Sequence, residues 1–212
     1  MKDIISIAVP KGKLMKPSVS LLSRAGIKGI GISGNSRKLI FNDRKNHYRL
    51  MIVRAIDVPT YVEHGAADIG IAGKELILEQ DKDLYEPLDL GFGYCKIIVA
   101  GPKDSNYPCS GSPKLKVATK YPNIAEDYFS RKGIPVEIIK LYGSIELAPL
   151  TGLADRIVDL SSSGRTLAEN NLVILDVIAE STARLIVNRA SIKIKYERIT
   201  EIIRKLEDQI KG

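Results

Sequence analysis

The stretch 157-IVDLSSSGRTLAEN-170 decides how this chain is read. An apolar run of strand character leads into Asp159. Ser161, Ser162, Ser163, Gly164, Arg165 and Thr166 follow, and the chain then takes on a helical pattern. Two explanations suit small hydroxyl residues where a strand hands over to a helix. Serine and glycine make turns and cap helices. The unpaired N–H groups of a helix start also favour negative charge, so the same residues can cradle an anion. Taken alone the stretch leaves both readings open.

Composition narrows the field. The chain has 212 residues, 44% hydrophobic and 27% charged, enough for a real core in one domain or two small lobes. No apolar run approaches the length of a membrane span. The opening MKDIISIAVPKGK is too short and too β-like for a signal peptide, so a cytoplasmic protein with no membrane partner is expected. Cys95 and Cys109 form no CxxC and have no histidine nearby, which argues against structural zinc and suits a reducing compartment. Lys and Arg number 32 against 25 Asp and Glu, a formal charge of +7, which suggests a polyanionic partner. Aromatics are only 6% with no tryptophan, a poor stacking platform for single-stranded nucleic acid. Much of the charge also lies in 193-KIKYERITEIIRKLEDQIK-211, between Tyr196, Ile199, Ile203, Leu206 and Ile210 at helical spacing. That charge reads as a solvated helix face, and a phosphorylated small molecule is preferred to nucleic acid.

Strand-like runs at 4–9, within 37–54, and in ADIGIAG, YCKIIVAG, KVATK and VEIIKL alternate with helical patterns. Those helices are 15–25, VPTYVEH with Asp57 as its cap, KELILEQ and NIAEDYFSRKG. This is α/β architecture, with largely parallel pairing expected. One echo stands out: 62-VEHGAADIGIAGKEL-76 and 149-PLTGLADRIVDLSSSGRTL-167 share the order helix, Gly, Ala-Asp, apolar strand, glycine loop. It predicts two similar lobes, 1–90 with 178–212 and 91–177. They would be joined by a hinge of two crossings near Leu90 and Val177, with strand-end loops facing a shared cleft.

Generic nucleotide motifs fail on context. The GIGISG run at 29–34 follows a helix and precedes a strand, the reverse of a dinucleotide turn, and AGKE at 72–75 lacks the remainder of a P-loop. His47 and His64 stand alone, and no triad or metal cluster is visible. What remains is a set of basic residues at element ends, Lys11, Lys13, Arg37 and Arg54. With Asp159 and the serine loop they describe a site for phosphates plus one carboxylate for a sugar hydroxyl or a metal.

AVPKGKL, SRKL, DVPTYVEHGAADIGIAGKE, KYPNIAEDYF, EIIKLYGSIELAPLTGLADRIVDLSSSGRTLAENNLV and RLIVN occur in that order over nearly the whole chain. Together they resemble the ATP phosphoribosyltransferase family, in its short form without a C-terminal regulatory domain. The resemblance implies a two-lobed fold like the type II periplasmic binding proteins. It implies attack by N1 of ATP on C1 of 5-phosphoribosyl 1-pyrophosphate, with Mg²⁺ present. The family's phosphoribosyl loop falls on Asp159 through Thr166 and its ribose-contacting acids on Glu146 and Asp159. Its pyrophosphate-facing arginines fall on Arg37 and Arg54. Lys11, Gly12 and Lys13, with a loop of Gly70, Ala72 and Gly73, fall at the ATP end. Three positions depart from the family pattern: Lys13 is often arginine, Tyr142 often asparagine and Ser163 often threonine. The first exchange loses bidentate geometry, and the last keeps the hydroxyl.

The short form implies a regulatory subunit resembling histidyl-tRNA synthetase, which brings the histidine site, and homodimers within a hetero-octamer. Three rival readings have distinct signatures. A non-catalytic nucleotide or anion binder on the same fold would release no pyrophosphate. A nucleic-acid module would bind random DNA with steep salt dependence. A base-salvage phosphoribosyltransferase would carry paired acids before its phosphate loop, where this chain has only Asp159.

Overall fold

The computed structural model describes residues 4–27, 38–43, 45–103 and 114–211. In chain order these form β1 (Ile5–Pro10), α1 (Met15–Arg24), β2 (Ile40–Asp43), β3 (Tyr48–Val53), α2 (Val58–Glu63), β4 (Ile69–Gly73), α3 (Lys74–Gln80) and β5 (Leu84–Asp89). Next come β6 (Cys95–Pro102), β7 (Leu115–Thr119), α4 (Pro122–Arg131), β8 (Val136–Lys140), α5 (Leu147–Leu150), β9 (Arg156–Ser161) and α6 (Arg165–Glu169). The chain closes with β10 (Leu172–Ser181), β11 (Ala183–Asn188), α7 (Arg189–Ile194) and α8 (Tyr196–Lys211).

Two compact units result, 1–93 with 182–212 and 94–181. The crossings come later than Leu90 and Val177 because both of those residues are held inside their units. The Leu90 N–H donates to the Ala183 carbonyl (2.9 Å), and Val177 pairs with Ile98 on β6.

Each unit is built on one mixed sheet, ordered β2-β3-β1-β4-β11-β5 in the first and β10-β6-β9-β7-β8 in the second. The expected preponderance of parallel pairing does not hold. Among the described residues four pairings are parallel and five antiparallel. In each sheet three parallel strands (β3-β1-β4 and β8-β7-β9) are followed by one that runs the other way (β11, β6) and an edge strand that runs with the three again (β5, β10). Strand β5, which the sequence reading does not assign, carries Pro87 and lies at a sheet edge, where a missing N–H is tolerated.

The apolar strands are continuous because both faces of the first sheet are covered. Ile7, Val9, Ile69, Ile71, Leu185 and Val187 pack with Leu21 and Leu22 of α1 and with Ile199, Ile202 and Leu206 of α8. Their neighbours Ala8, Ala72 and Ile186 face the other way, onto Val58 and Val62 of α2. Tyr196, expected on the buried stripe of α8, is exposed, and Ile202 is buried instead. Asp57 occupies the cap position of α2 without a side-chain bond to it, because a 3-10 turn, Ala55–Asp57, leads directly into the helix.

The internal echo is a structural repeat. Gly65 and Gly152 both take left-handed backbone (φ +70° and +71°), and each turns a helix end into an Ala-Asp step. The Asp68 N–H donates to the Ser6 carbonyl (2.8 Å), and the Ser6 N–H donates back to Asp68 Oδ2 (2.8 Å). In the second unit the Asp155 N–H donates to the Lys116 carbonyl (2.9 Å), and the Lys116 N–H donates back to Asp155 Oδ2 (2.9 Å). Each aspartate thereby clamps the start of one parallel strand to its neighbour. Asp68 carries more. It pairs with Lys195 (2.8 Å) and accepts from Ser191 Oγ (2.7 Å), while Lys195 Nζ also donates to the Ile4 carbonyl (2.8 Å). Asn188 completes this base: its Oδ1 caps α7 at the Ala190 and Ser191 N–H groups, and its Nδ2 donates to the Val62 carbonyl (2.8 Å).

Asp68→Ala should cost about 3 kcal/mol, the lower end for breaking a buried pair, because Lys195 keeps some access to water. Urea unfolding of the two proteins checks this, and a loss under about 1 kcal/mol would remove the clamp's energetic role.

Candidate active site

Clamping one end of the parallel strands leaves their C-terminal ends to carry the loops. In the first unit β1 pairs with β3 through Pro10↔Val53, so the residues that follow, Lys11 and Arg54, emerge side by side. The Lys11 N–H donates to the Val53 carbonyl (2.7 Å) and fixes that juxtaposition. Lys11, Gly12, Lys13 and Arg54 are all exposed. Arg54 makes no ion pair among the described residues, so this edge presents three free-standing cations. Arg37 lies outside the described residues.

Gly70, Ala72 and Gly73 were expected in a loop, but they form β4, buried between β1 and β11. A Cβ on Gly70 would lie 2.7 Å from Val62 and 2.8 Å from Val58, so that glycine lets α2 pack closely on the strand. Of the three, only Gly73 reaches the edge shared with Lys11 and Arg54, where it caps α3.

In the second unit β9 runs into Ser162, Ser163, Gly164 and α6. Gly164 has φ +73°, a conformation that suits glycine and reverses the chain over the strand end. Ser161 Oγ accepts the Gly164 N–H (3.0 Å), which leaves its own proton to donate outward. Ser162, Ser163 and Thr166 are exposed, and the first-turn N–H groups of α6 have no carbonyl four residues back within the helix. Arg165 is turned along the helix to Glu169 (2.8 Å), an exposed pair of little energetic weight.

Asp159 and Glu146 lie close enough to feel each other's charge. Burial pushes the Asp159 carboxyl above the usual carboxylate range. The Leu160 N–H, which donates to Oδ1 at 2.8 Å, and the nearby Lys120 ammonium oppose that rise, while Glu146 adds to it. A half-buried carboxylate with one backbone donor among the described residues is a cost to the fold and suits a ligand hydroxyl. Among the described residues no group of three or more His, Cys, Asp or Glu side chains could hold a metal. No helix there is long and apolar enough to cross a membrane.

Two mixed α/β units with this repeated strand order have the fold of the type II periplasmic-binding-protein class. A likeness in fold alone to a mutant of ArgBP from Thermotoga maritima agrees with that class (TM-score 0.58, 16% identity, covering 99% of this chain and 92% of that one). The sequence pattern of the ATP phosphoribosyltransferase family, HisG, matches residues 54–208. The ATP phosphoribosyltransferase of Geobacter metallireducens is 58% identical over 214 residues, covering 99% of this chain and all of that one. The HisG:HisZ ATP phosphoribosyl transferase complex from Thermotoga maritima contains a chain 36% identical to this one. Its TM-score is 0.86, with 98% of this chain and 99% of that chain covered. The chain belongs to the ATP phosphoribosyltransferase family.

The raised pKa of half-buried Asp159 sets the sign of a pH effect. Its folded pKa lies above its unfolded value, so the folded state holds the proton more tightly. The stability tied to that proton is complete below the unfolded pKa and is lost as pH rises through the folded one. Asp159→Asn, which keeps the acceptor for Leu160, should therefore melt above the wild type at pH 7, by about 2–4 °C per kcal/mol of relieved desolvation. The gain should vanish near pH 3. Thermal melts across that range decide it, and an equal or lower melting temperature at pH 7 would contradict the assignment.

Proposed function

We infer that this chain transfers the 5-phosphoribosyl group of phosphoribosyl pyrophosphate to N1 of ATP, the first step of histidine biosynthesis. The observation that carries the reading is the Asp159–Thr166 segment, folded as a strand end, a hydroxyl-rich turn and a helix start in a chain that is a family member over its whole length. The N1 lone pair of adenine forms the new bond to C1 of the ribose. The C1–O bond breaks, and its electron pair leaves with the pyrophosphate. Adenine N1 needs no base to free that lone pair, so the protein's task is placement of charge. The transition state has oxocarbenium character at the sugar and growing negative charge on the leaving group, and fixed cations stabilise the latter.

Within this reading Ser161, Ser162, Ser163 and Thr166 donate to the 5-phosphate, with the backbone of Gly164 and Arg165 approaching it closely. Asp159 and Glu146 accept from ribose hydroxyls. Arg54 and Arg37 face the pyrophosphate, and Lys11, Gly12 and Lys13 with Gly73 hold the triphosphate end of ATP. Gly70 and Ala72 support that end from within the sheet. Mg²⁺ typically keeps its waters and binds phosphate oxygens with few protein ligands, which suits a chain without a ligand cluster among its described residues. It is proposed as a companion of the pyrophosphate, neutralising its charge, with no carboxylate of the chain assigned to it. A cytoplasmic location, where ATP and phosphoribosyl pyrophosphate are at hand, is proposed with that reaction. The Thermotoga maritima complex supports a regulatory partner of the HisZ kind, and with it histidine control through a mixed assembly.

Two substitutions test the site. Arg54→Ala should slow the single-turnover step by roughly 10²–10³, the scale of losing one preorganised donor, with a smaller change in ATP affinity. Gly164→Val forces a β-branched residue into left-handed backbone, and calorimetry should show phosphoribosyl pyrophosphate binding lost while unfolding stays cooperative. An unchanged rate in the first, or unchanged affinity in a folded second, removes that residue from the machinery.

A further inference from the structure

Lys120 stands one residue past the end of β7, in a turn pinned from three sides. Thr119 Oγ1 donates to the Val158 carbonyl on β9 (2.7 Å) and accepts the Tyr121 N–H (2.8 Å). The Leu141 N–H donates to the Thr119 carbonyl (2.9 Å), which ties the turn to the far end of β8. The backbone on both sides of Lys120 is thus fixed, and the parallel pairing Thr119↔Val158 sets Lys120 beside Asp159.

The side chain is half-buried, yet its ammonium makes no hydrogen bond or ion pair among the described residues. Here the turn is rigid, and the ammonium's field reaches Asp159 without closing onto it. Asp159 and Glu146 by themselves would repel a ligand that carries phosphates at both ends of a sugar. One unpaired cation beside Asp159 offsets that repulsion. Arg165 is occupied by Glu169, and Lys140 lies over the Tyr142 ring (5.8 Å).

By the clamp register, which lays Ser6 on Lys116, Lys120 falls level with Pro10, one residue short of Lys11, so the lysine turn of the second unit has no exact counterpart in the first.

We propose that Lys120 is a substrate-contacting residue of the phosphoribosyl lobe, its ammonium placed to take a phosphoryl oxygen of the substrate beside Asp159. The proposal rests on the transferase reading above and adds a residue to it. The test uses the full chain with Mg²⁺, as wild type, Lys120→Met and Lys120→Arg, titrated calorimetrically with phosphoribosyl pyrophosphate, inorganic pyrophosphate and ribose 5-phosphate. Lys120→Met keeps the aliphatic stem, so its melting temperature should stay near the wild type's, while phosphoribosyl pyrophosphate affinity falls roughly 10- to 100-fold, the range for losing a charge-assisted hydrogen bond. Lys120→Arg, which keeps the charge, should recover most of it. A loss seen with pyrophosphate alone assigns the lysine to the leaving group, and one seen with ribose 5-phosphate alone assigns it to the 5-phosphate; both support the proposal. Wild-type affinity for all three ligands in folded Lys120→Met overturns it and leaves the transferase reading intact. No binding of any of the three by the wild type overturns both.

Discussion

Parallel strands have no hairpin to set their register, yet a slip of one residue would turn every side chain to the opposite face. In this chain the register is held by an aspartate at the start of β4 and another at the start of β9, each exchanging two hydrogen bonds with the strand beside it. The rest of the structure depends on that exchange. With Asp68 tied to Ser6, the ends of β1 and β4 come out together and Gly73 reaches the level of Lys11, while the β1–β3 ladder sets Lys11 beside Arg54. With Asp155 tied to Lys116, the turn after β7 comes out beside the end of β9, and Lys120 meets Asp159. A carboxylate at one end of each sheet thus helps to fix which charged residues stand together at the other.

The two ends obey different economics of solvation. At the clamped end polar groups are satisfied: Asp68 has Lys195, Ser191 and the Ser6 N–H, and Asn188 uses both ends of its amide. At the loop end they are held short of satisfaction. Asp159 has one backbone donor and a burial penalty, Lys120 has no partner among the described residues, and Arg54 stands in water without an ion pair there. Asp159 lowers stability while the site is empty, and all three gain partners when an anionic sugar arrives, the pattern expected where a fold gives up stability for function.

Much of this was legible in the sequence. The Gly-Ala-Asp echo was visible because the clamp needs the same three residues in the same order: a left-handed glycine, a small residue, and a carboxylate one position before the strand. The serine loop was legible for a similar reason, since its hydroxyls and glycine leave a compositional mark. The antiparallel halves of both sheets were not, because β5, β6, β10 and β11 carry no local sign of direction. Their pairing is decided by where the chain returns between units. Gly70 looked like a loop residue because a glycine that admits a neighbouring helix reads the same as one that admits a ligand. Lys120 lay inside the quoted KYPNIAEDYF and went unremarked, since nothing local tells a lysine after a strand that β9 will end beside it. Arg37 lies outside the described residues, and the arginine edge is therefore drawn from Arg54.

The central claim is that these loops perform a transfer, and do more than bind. The most direct measurement is the stoichiometry of one turnover: purified chain with ATP, phosphoribosyl pyrophosphate and Mg²⁺, following pyrophosphate and the N1-phosphoribosyl adduct of ATP together. The account predicts that both appear at the same rate and in equal amounts, and that neither forms when either substrate is left out. Tight binding of both substrates with no pyrophosphate released, alone or with the regulatory partner, would contradict it and make the chain a binder on the same fold.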